Sequence, residues 1–247
     1  MRKDDSGSSL IGKVEKWDKE IDVVVVGSGA GGQAAAIAAA ENKASVVILE
    51  KMSFFGGNSI LSGGNYGAYG TDLQKKKGIS DPHFRDDSAD LYYREKRALG
   101  GYRSNPLLVR TFTDNSLMGY NWLKGLGMEY QTVEMADTNI VSPFDKVGEG
   151  DILTKGRHHL DGKYNKYAGG SALMHCLRDA ARTRGIDLLT KMEVLEIIRE
   201  HNTAGKVLGV RAKDHNSKKT LAVRAKKAVI LASGGFSANT GNDQSLQ

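Results

Sequence analysis

The stretch DVVVVGSGAGGQAAAIAAAENKASVVILEK, residues 22–51, constrains this chain more than any other. Four consecutive valines predict a strand over 23–26. Unbroken apolar strands of this kind belong to a parallel sheet covered on both faces. The glycines at 27, 29, 31 and 32 then break the strand, and a run of alanines predicts a helix over 34–40 before a second strand at 45–49. That order makes a β-α-β unit.

Within it, Gly27-Ser28-Gly29-Ala30-Gly31-Gly32 satisfies G-x-G-x-x-G directly after a strand and at a helix start. In that setting the first glycine permits a tight turn, the second lets backbone amides approach a pyrophosphate, and the third lets the helix pack on the strand. The positive end of the helix favours the phosphates. Glu50 ends the second strand, where a carboxylate can accept hydrogen bonds from both hydroxyls of a ribose. It would repel a 2′-phosphate, which disfavours NADP. The motif predicts a dinucleotide site, with an ordinary β-α-β unit as the plainer alternative.

The residues after Glu50 decide which dinucleotide. An NAD domain would proceed to further βα units, whereas here a second glycine cluster comes at once: Gly56-Gly57-Asn58-Ser59, then Ser62-Gly63-Gly64. The segment is too glycine-rich for regular structure and too apolar for a free linker, so it predicts an ordered loop against a larger ligand. From about 88 to 130 the pattern turns helical, with Asn105-Pro106 as N-cap and first helical residue, and Leu107, Leu108, Phe112, Met118, Trp122 and Leu123 at roughly helical spacing. A second helix runs from Gly169-Gly170 to Gly185. Strands at 194–199, 207–213 and 220–225, joined by turn-rich links, predict an antiparallel meander, and KAVILASGG predicts a further buried strand.

Composition removes several classes. Of the 247 residues 40% are hydrophobic, enough for a substantial core, which argues against disorder. The 35 lysines and arginines exceed the 29 acids by six, but they are scattered and interleaved with those acids, so no nucleic-acid footprint forms. The single cysteine, Cys176, excludes an internal disulfide framework and falls in an apolar helical pattern. No apolar run is long enough for a bilayer span, and the first residues are polar, so cytoplasm is the expected compartment, or the periplasm if a leader had been removed. His158-His159 reads as a solvated loop, His175 as packing or surface, and Tyr66 and Tyr69 as neighbours of the ligand or core filling. Neither His158-His159 nor His175 beside Cys176 has metal-ligand spacing with further donors, and no G-x-S-x-G elbow is present.

On DVVVVGSGAGG, VVILEK, FGGNSILSGGNYGA, NPLLVRTFTDNSLMGYNWLKGLGMEY, GGSALMHCLRDAARTRGIDLL and AVILASGGFSAN, the chain resembles the FAD-binding flavoproteins of the fumarate reductase and succinate dehydrogenase family and the related ketosteroid dehydrogenases. That resemblance implies an α/β fold: a Rossmann-like FAD-binding domain with a parallel sheet, an antiparallel β-meander and a helical insertion. The implied organisation is a polar arm over 1–20, FAD-binding segments over 21–80 and 169–239, a mainly helical insertion over 81–168 and a tail over 240–247. It implies that Gly27, Gly29, Ala30, Gly31 and Gly32 contact the FAD pyrophosphate, and Glu50 the adenosine ribose with Lys51 beside it. Gly57, Asn58, Ser59, Ser62, Gly63 and Gly64 would lie along the ribityl chain and isoalloxazine. Val194 matches the position whose backbone meets adenine, and Ala232-Ser233-Gly234 the family's ATG turn. Covalent members carry a histidine where this chain has Gly57-Asn58-Ser59, which implies noncovalent FAD.

By the same resemblance the activity would be hydride transfer between flavin N5 and an activated C–C bond of a small unsaturated acid, or ketosteroid-type dehydrogenation. An electron-donor protein enters as a partner. The family's substrate-capping domain and proton-delivering arginine correspond to sequence beyond SGGFSAN, so the chain is expected to be an amino-terminal part of such an enzyme, without a catalytic residue of its own that can be named. The alternative from a different class is a truncated FAD-binding domain with no activity of its own.

Overall fold

The computed structural model describes residues 14, 16–81, 84–134, 158–161, 169–201 and 204–235. The expected tail over 240–247, most of the arm over 1–20 and the middle of the expected insertion lie outside the described residues. The chain divides into two units, one of Met1–Leu61 with Leu177–Gln247 and the other of Ser62–Cys176.

The first unit is built on a six-stranded sheet in the order β6-β2-β1-β9-β8-β7. Its strands are β1 (Lys19–Val26), β2 (Val46–Leu49), β6 (Asp187–Leu189), β7 (Met192–Arg199), β8 (Val207–Asp214) and β9 (Thr220–Leu231). β6, β2, β1 and β9 run parallel, while β9, β8 and β7 form the expected antiparallel meander. Val24 and Val25 on β1 and all four residues of β2 are buried, as a sheet covered on both faces requires. Val24, Val47, Leu49, Met192, Val210, Ala212, Val223 and Ala225 make one continuous apolar cluster. α1 (Ala30–Glu41) packs on β1 and β2 through Ala36 and Ile37; its alanines combine the best helix propensity with close approach to the sheet.

Two sequence expectations change here. β1 begins at Lys19, inside the stretch expected as a polar arm, with Lys19 and Glu20 paired to Val223 and Arg224. The strands expected separately at 220–225 and in KAVIL are one strand, β9, continuous through Lys226 and Lys227. Its register on β1 shifts between Ile21 and Val23, leaving Asp22 opposite the two lysines at 3.5 and 3.6 Å. The Ser45 N–H, 3.0 Å away, is the main reason the Asp22 carboxyl is held down at about 2, with the Ser45 hydroxyl and the two ammonium groups adding to it. The end of β9 is also less buried than its apolar sequence predicts, with Leu231 62% exposed.

The second unit contains β3 (Tyr66–Gly67), β4 (Tyr130–Glu134) and β5 (His158–Asp161) in the antiparallel order β3-β5-β4, with α2 (Asp72–Lys77), α3 (Ala89–Leu99) and α4 (Pro106–Gly125). α5 (Gly170–Thr183) crosses the division between Cys176 and Leu177. Asn105 caps α4 by accepting from the Leu107 and Leu108 N–H groups, ahead of proline at the first helical position, as the sequence predicts. The buried face of α4, however, is Thr113, Ser116, Tyr120 and Leu123, while Leu107, Leu108, Phe112 and Met118 are exposed.

His158-His159 is the clearest departure in this unit: it lies in β5 and not in a solvated loop, and His159 is fully buried. Its Nδ1 lies 3.0 Å from the Tyr66 carbonyl oxygen, which can only accept, so Nδ1 carries a proton, and its Nε2 lies 2.8 Å from the Thr71 hydroxyl. Tyr120 and Tyr130 stack at 4.8 Å against this imidazole. Tyr66 donates to the Ser116 carbonyl oxygen at 3.3 Å, and burial pushes its phenol pKa up. Together these groups form a polar and aromatic core. Among the described residues no helix is long and apolar enough to cross a membrane.

Candidate functional site

The site assembles in the first unit where β1 ends. Gly27 has φ of +99°, a left-handed conformation that side chains resist, and a Cβ on it would stand 2.4 Å from the Ala232 carbonyl oxygen. A Cβ on Gly32 would stand 2.1 Å from the Gly27 carbonyl oxygen and 3.2 Å from the Ala232 Cβ. The first and last glycines of the motif are therefore demanded by the protein's own packing. They also lock the turn onto Ala232, whose N–H donates to the Val26 carbonyl at 2.8 Å, so the chain after β9 passes against the glycine turn.

Gly29 behaves differently. Its φ of −63° suits any residue, and a Cβ there would meet only the Ser59 hydroxyl at 3.6 Å and the Gly56 carbonyl oxygen at 3.9 Å, ordinary contacts. No neighbour among the described residues requires glycine at this position. Gly29 is the N-cap of α1, with no side-chain cap of its own and no acidic residue in the helix's first turn. An anion approaching the positive helix end would need that missing Cβ and that missing acid. The glycine turn thus fits a pyrophosphate on the chemistry of its donors as well as on its shape. One amide is already engaged: Ala30 N–H donates to Ser59 Oγ at 3.1 Å, which brings Ser59 to the helix end and ties the second glycine cluster to the first.

Glu50 is 6% exposed and stands beside the turn. Its Oε2 accepts from the Ser28 N–H at 2.9 Å and the Ser28 hydroxyl at 2.7 Å, and its Oε1 from the Met52 N–H at 2.9 Å. The Ser28 hydroxyl in turn accepts from Gly56 N–H at 3.0 Å, and the Ser28 carbonyl from Gln33 Nε2 at 3.0 Å. Ser28 and Gln33 are both fully buried, and neither was singled out by the motif, which leaves both positions open to any residue. Their polarity beside a glycine turn was the only signal in the sequence.

The Glu50 carbonyl oxygen accepts from the Met192 N–H at 2.8 Å, and Val194 lies two residues on in β7, the edge strand of the sheet among the described residues. Its register with β8 shifts just past Val194, where Leu195 bulges out and is 54% exposed. An edge leaves one side of the Val194 backbone outside the ladder. Lys51 and Asn58 are exposed, and Gly57 (φ +51°) opens a short 3-10 helix, Gly57–Leu61, within the segment expected as a loop.

Ser62, Gly63 and Gly64 belong to the second unit. There Gly64 (φ +77°) and Gly169 (φ +55°) meet back to back: a Cβ on Gly64 would stand 2.2 Å from the Gly169 carbonyl carbon, and the Gly170 N–H donates to the Ser62 carbonyl at 2.7 Å. The sequence showed both glycine runs without showing that they touch. Among the described residues no three His, Cys, Asp or Glu side chains converge as metal ligands.

Residues 22–246 match the family described as FAD binding domain. The chain is 35% identical over 226 residues to the NADH:fumarate oxidoreductase of Klebsiella pneumoniae (strain 342), covering 90% of this chain and 21% of that protein. It is 29% identical over 232 residues to the acrylate reductase flavoprotein subunit of Shewanella woodyi, covering 91% of this chain and 41% of that one. Among solved structures, 3-ketosteroid-Δ4-(5α)-dehydrogenase from Rhodococcus jostii RHA1 superposes with a TM-score of 0.75 at 30% identity over 91% of this chain and 48% of its own. The open conformation of a flavocytochrome c3 fumarate reductase gives 0.72 at 26% identity, over 90% and 35%. The chain therefore spans less than half the length of each of these relatives.

Proposed function

We propose, from the premise that this chain belongs to the FAD-binding domain family, that it is the flavin-holding part of an oxidoreductase acting on an activated carbon–carbon bond, with a small unsaturated acid as substrate. The observation that carries the cofactor assignment is Gly29, a glycine that no neighbouring atom among the described residues requires, at the end of α1, where it brings no side-chain cap of its own. When bound, FAD supplies the hydride chemistry, and the protein's contribution is binding, orientation and electrostatics.

The residues divide that work. The backbone of Gly27, Gly29, Ala30, Gly31 and Gly32 lines the pyrophosphate, with the Ala30 N–H itself engaged by Ser59; Glu50 takes the adenosine ribose with Lys51 at the rim, and the edge backbone of Val194 the adenine. Gly57, Asn58, Ser59, Ser62, Gly63 and Gly64 take the ribityl and ring side, and Ala232, Ser233 and Gly234 close against the turn. With Gly57-Asn58-Ser59 where covalent relatives have a histidine, attachment is noncovalent. A separate electron-donor protein and a cytoplasmic setting complete the reading.

Two relatives named as fumarate and acrylate reducing enzymes support the reductive direction. The ketosteroid-type alternative is favoured by one observation, the 30% identity and 0.75 TM-score to a ketosteroid dehydrogenase. The test is the visible absorption spectrum of the purified chain before and after denaturation. A flavin band that denaturation releases into solution supports noncovalent FAD, and assays with fumarate, acrylate and a 3-ketosteroid then separate the two substrate classes. A colourless chain that takes up no added FAD refutes the view that these residues suffice, and leaves a domain without activity of its own.

A further inference from the structure

We propose that Ser28 is a positioning residue that commits one oxygen of Glu50 to the protein, so that Glu50 reads a single ribose hydroxyl and not both; the inference rests on the FAD reading above. A carboxylate offers about four lone-pair sites, two on each oxygen. Glu50 Oε2 already accepts two donors, the Ser28 N–H at 2.9 Å and the Ser28 hydroxyl at 2.7 Å. Oε1 accepts one, from the Met52 N–H. A single site remains, on Oε1.

The carboxylate is not free to turn and offer both oxygens. Ser28 is fully buried and held at each of its polar groups: its N–H and hydroxyl on Glu50, its hydroxyl also under the Gly56 N–H, and its carbonyl under Gln33 Nε2. Rotation of Glu50 would break two hydrogen bonds to a charged acceptor, the stronger class of such bonds, and would strip the Ser28 N–H of its acceptor inside a buried site. The first glycine cluster, the acid and the second cluster thus meet on one hydroxyl. Ser28 itself touches no ligand; it acts through Glu50 and through Gly56.

The test compares the dissociation constants of ADP, 2′-deoxy-ADP and 3′-deoxy-ADP for the 247-residue chain, each measured by competition against FAD fluorescence. One deoxy ligand is expected to bind about tenfold more weakly than ADP, the loss of one charge-assisted hydrogen bond, and the other within about twofold of it. In Ser28→Ala a lone-pair site on Oε2 opens and the asymmetry between the two deoxy ligands collapses, whereas Ser28→Thr keeps the hydroxyl and the asymmetry. Equal losses for both deoxy ligands in the wild type, or none for either, overturn the proposal. An unchanged asymmetry in a Ser28→Ala chain with a wild-type melting curve also overturns it, because a purely structural serine would weaken all three ligands alike. The wild-type series decides the point even where Ser28→Ala does not fold. A chain that binds no FAD fails before any deoxy comparison, and then the cofactor reading falls and this inference with it.

Discussion

Three glycines of one motif should answer alanine in three different ways. In Gly32→Ala the new Cβ stands 2.1 Å from the Gly27 carbonyl oxygen, well inside contact distance, and the oxygen belongs to backbone held against Ala232. Overpacking of this kind costs about 1–3 kcal/mol or more. Alanine's better helix propensity returns only about 0.5–1 kcal/mol, so a net loss of about 2 kcal/mol is expected. At about 2–4 °C per kcal/mol for a chain of this size, the melting temperature falls by about 4–8 °C. Gly29→Ala meets only ordinary contacts at 3.6 and 3.9 Å, and its backbone angles suit alanine, so stability should stay within about 1 kcal/mol of wild type. Its methyl stands where the pyrophosphate must approach, and losing a hydrogen bond to that charge weakens FAD by about 10- to 100-fold. Gly31→Ala meets nothing within 4 Å, keeps its amide, and should gain about 0.5–1 kcal/mol with little change in affinity. Differential scanning calorimetry with FAD titration separates all three. A Gly29→Ala chain that binds FAD as the wild type does refutes the pyrophosphate cradle, and a Gly32→Ala chain that melts no lower refutes the steric argument.

The fold leads to two further outcomes. The folded-state pKa of Asp22 is depressed to about 2, so its stabilising contribution is complete above the ordinary aspartate range and is lost as pH falls. Guanidinium midpoints of wild type and Asp22→Asn should therefore converge between about pH 4 and pH 2, and a constant gap would exclude the assignment. His159→Leu removes a buried imidazole that bonds both the Thr71 hydroxyl and the Tyr66 carbonyl oxygen, and should cost about 2 kcal/mol or more in chemical denaturation. A loss below about 0.5 kcal/mol, the level of an ordinary surface change, would restore the solvated-loop reading.

The legible parts of this chain are those whose physics is local. A valine run, a glycine that must turn and an alanine helix each declare themselves within a few residues, so β1, α1, β2 and the glycine turn between them could be read directly. The same locality explains the errors. Lys226-Lys227 reads as a break between strands because two adjacent lysines interrupt an apolar pattern. In the fold they face Asp22 at the register shift, and β9 runs through them. His158-His159 reads as a loop because its strand is four residues long and its partners Thr71 and Tyr66 lie 88 and 93 positions away.

The site divides along the same line. A motif states which residue types the backbone geometry tolerates, and the glycines and acid it selects do gather where β1 ends. It says nothing about positions it leaves open, and Ser28 occupies one of them. Spacing alone assigns Glu50 two free oxygens, whereas the turn that brings Ser28 under it leaves one lone-pair site. On the proposed reading the acid's capacity for ligand is set by a serine the motif ignores, so that a chain with the same glycines and the same glutamate but alanine at position 28 would match the motif equally well and is expected to hold a ribose differently.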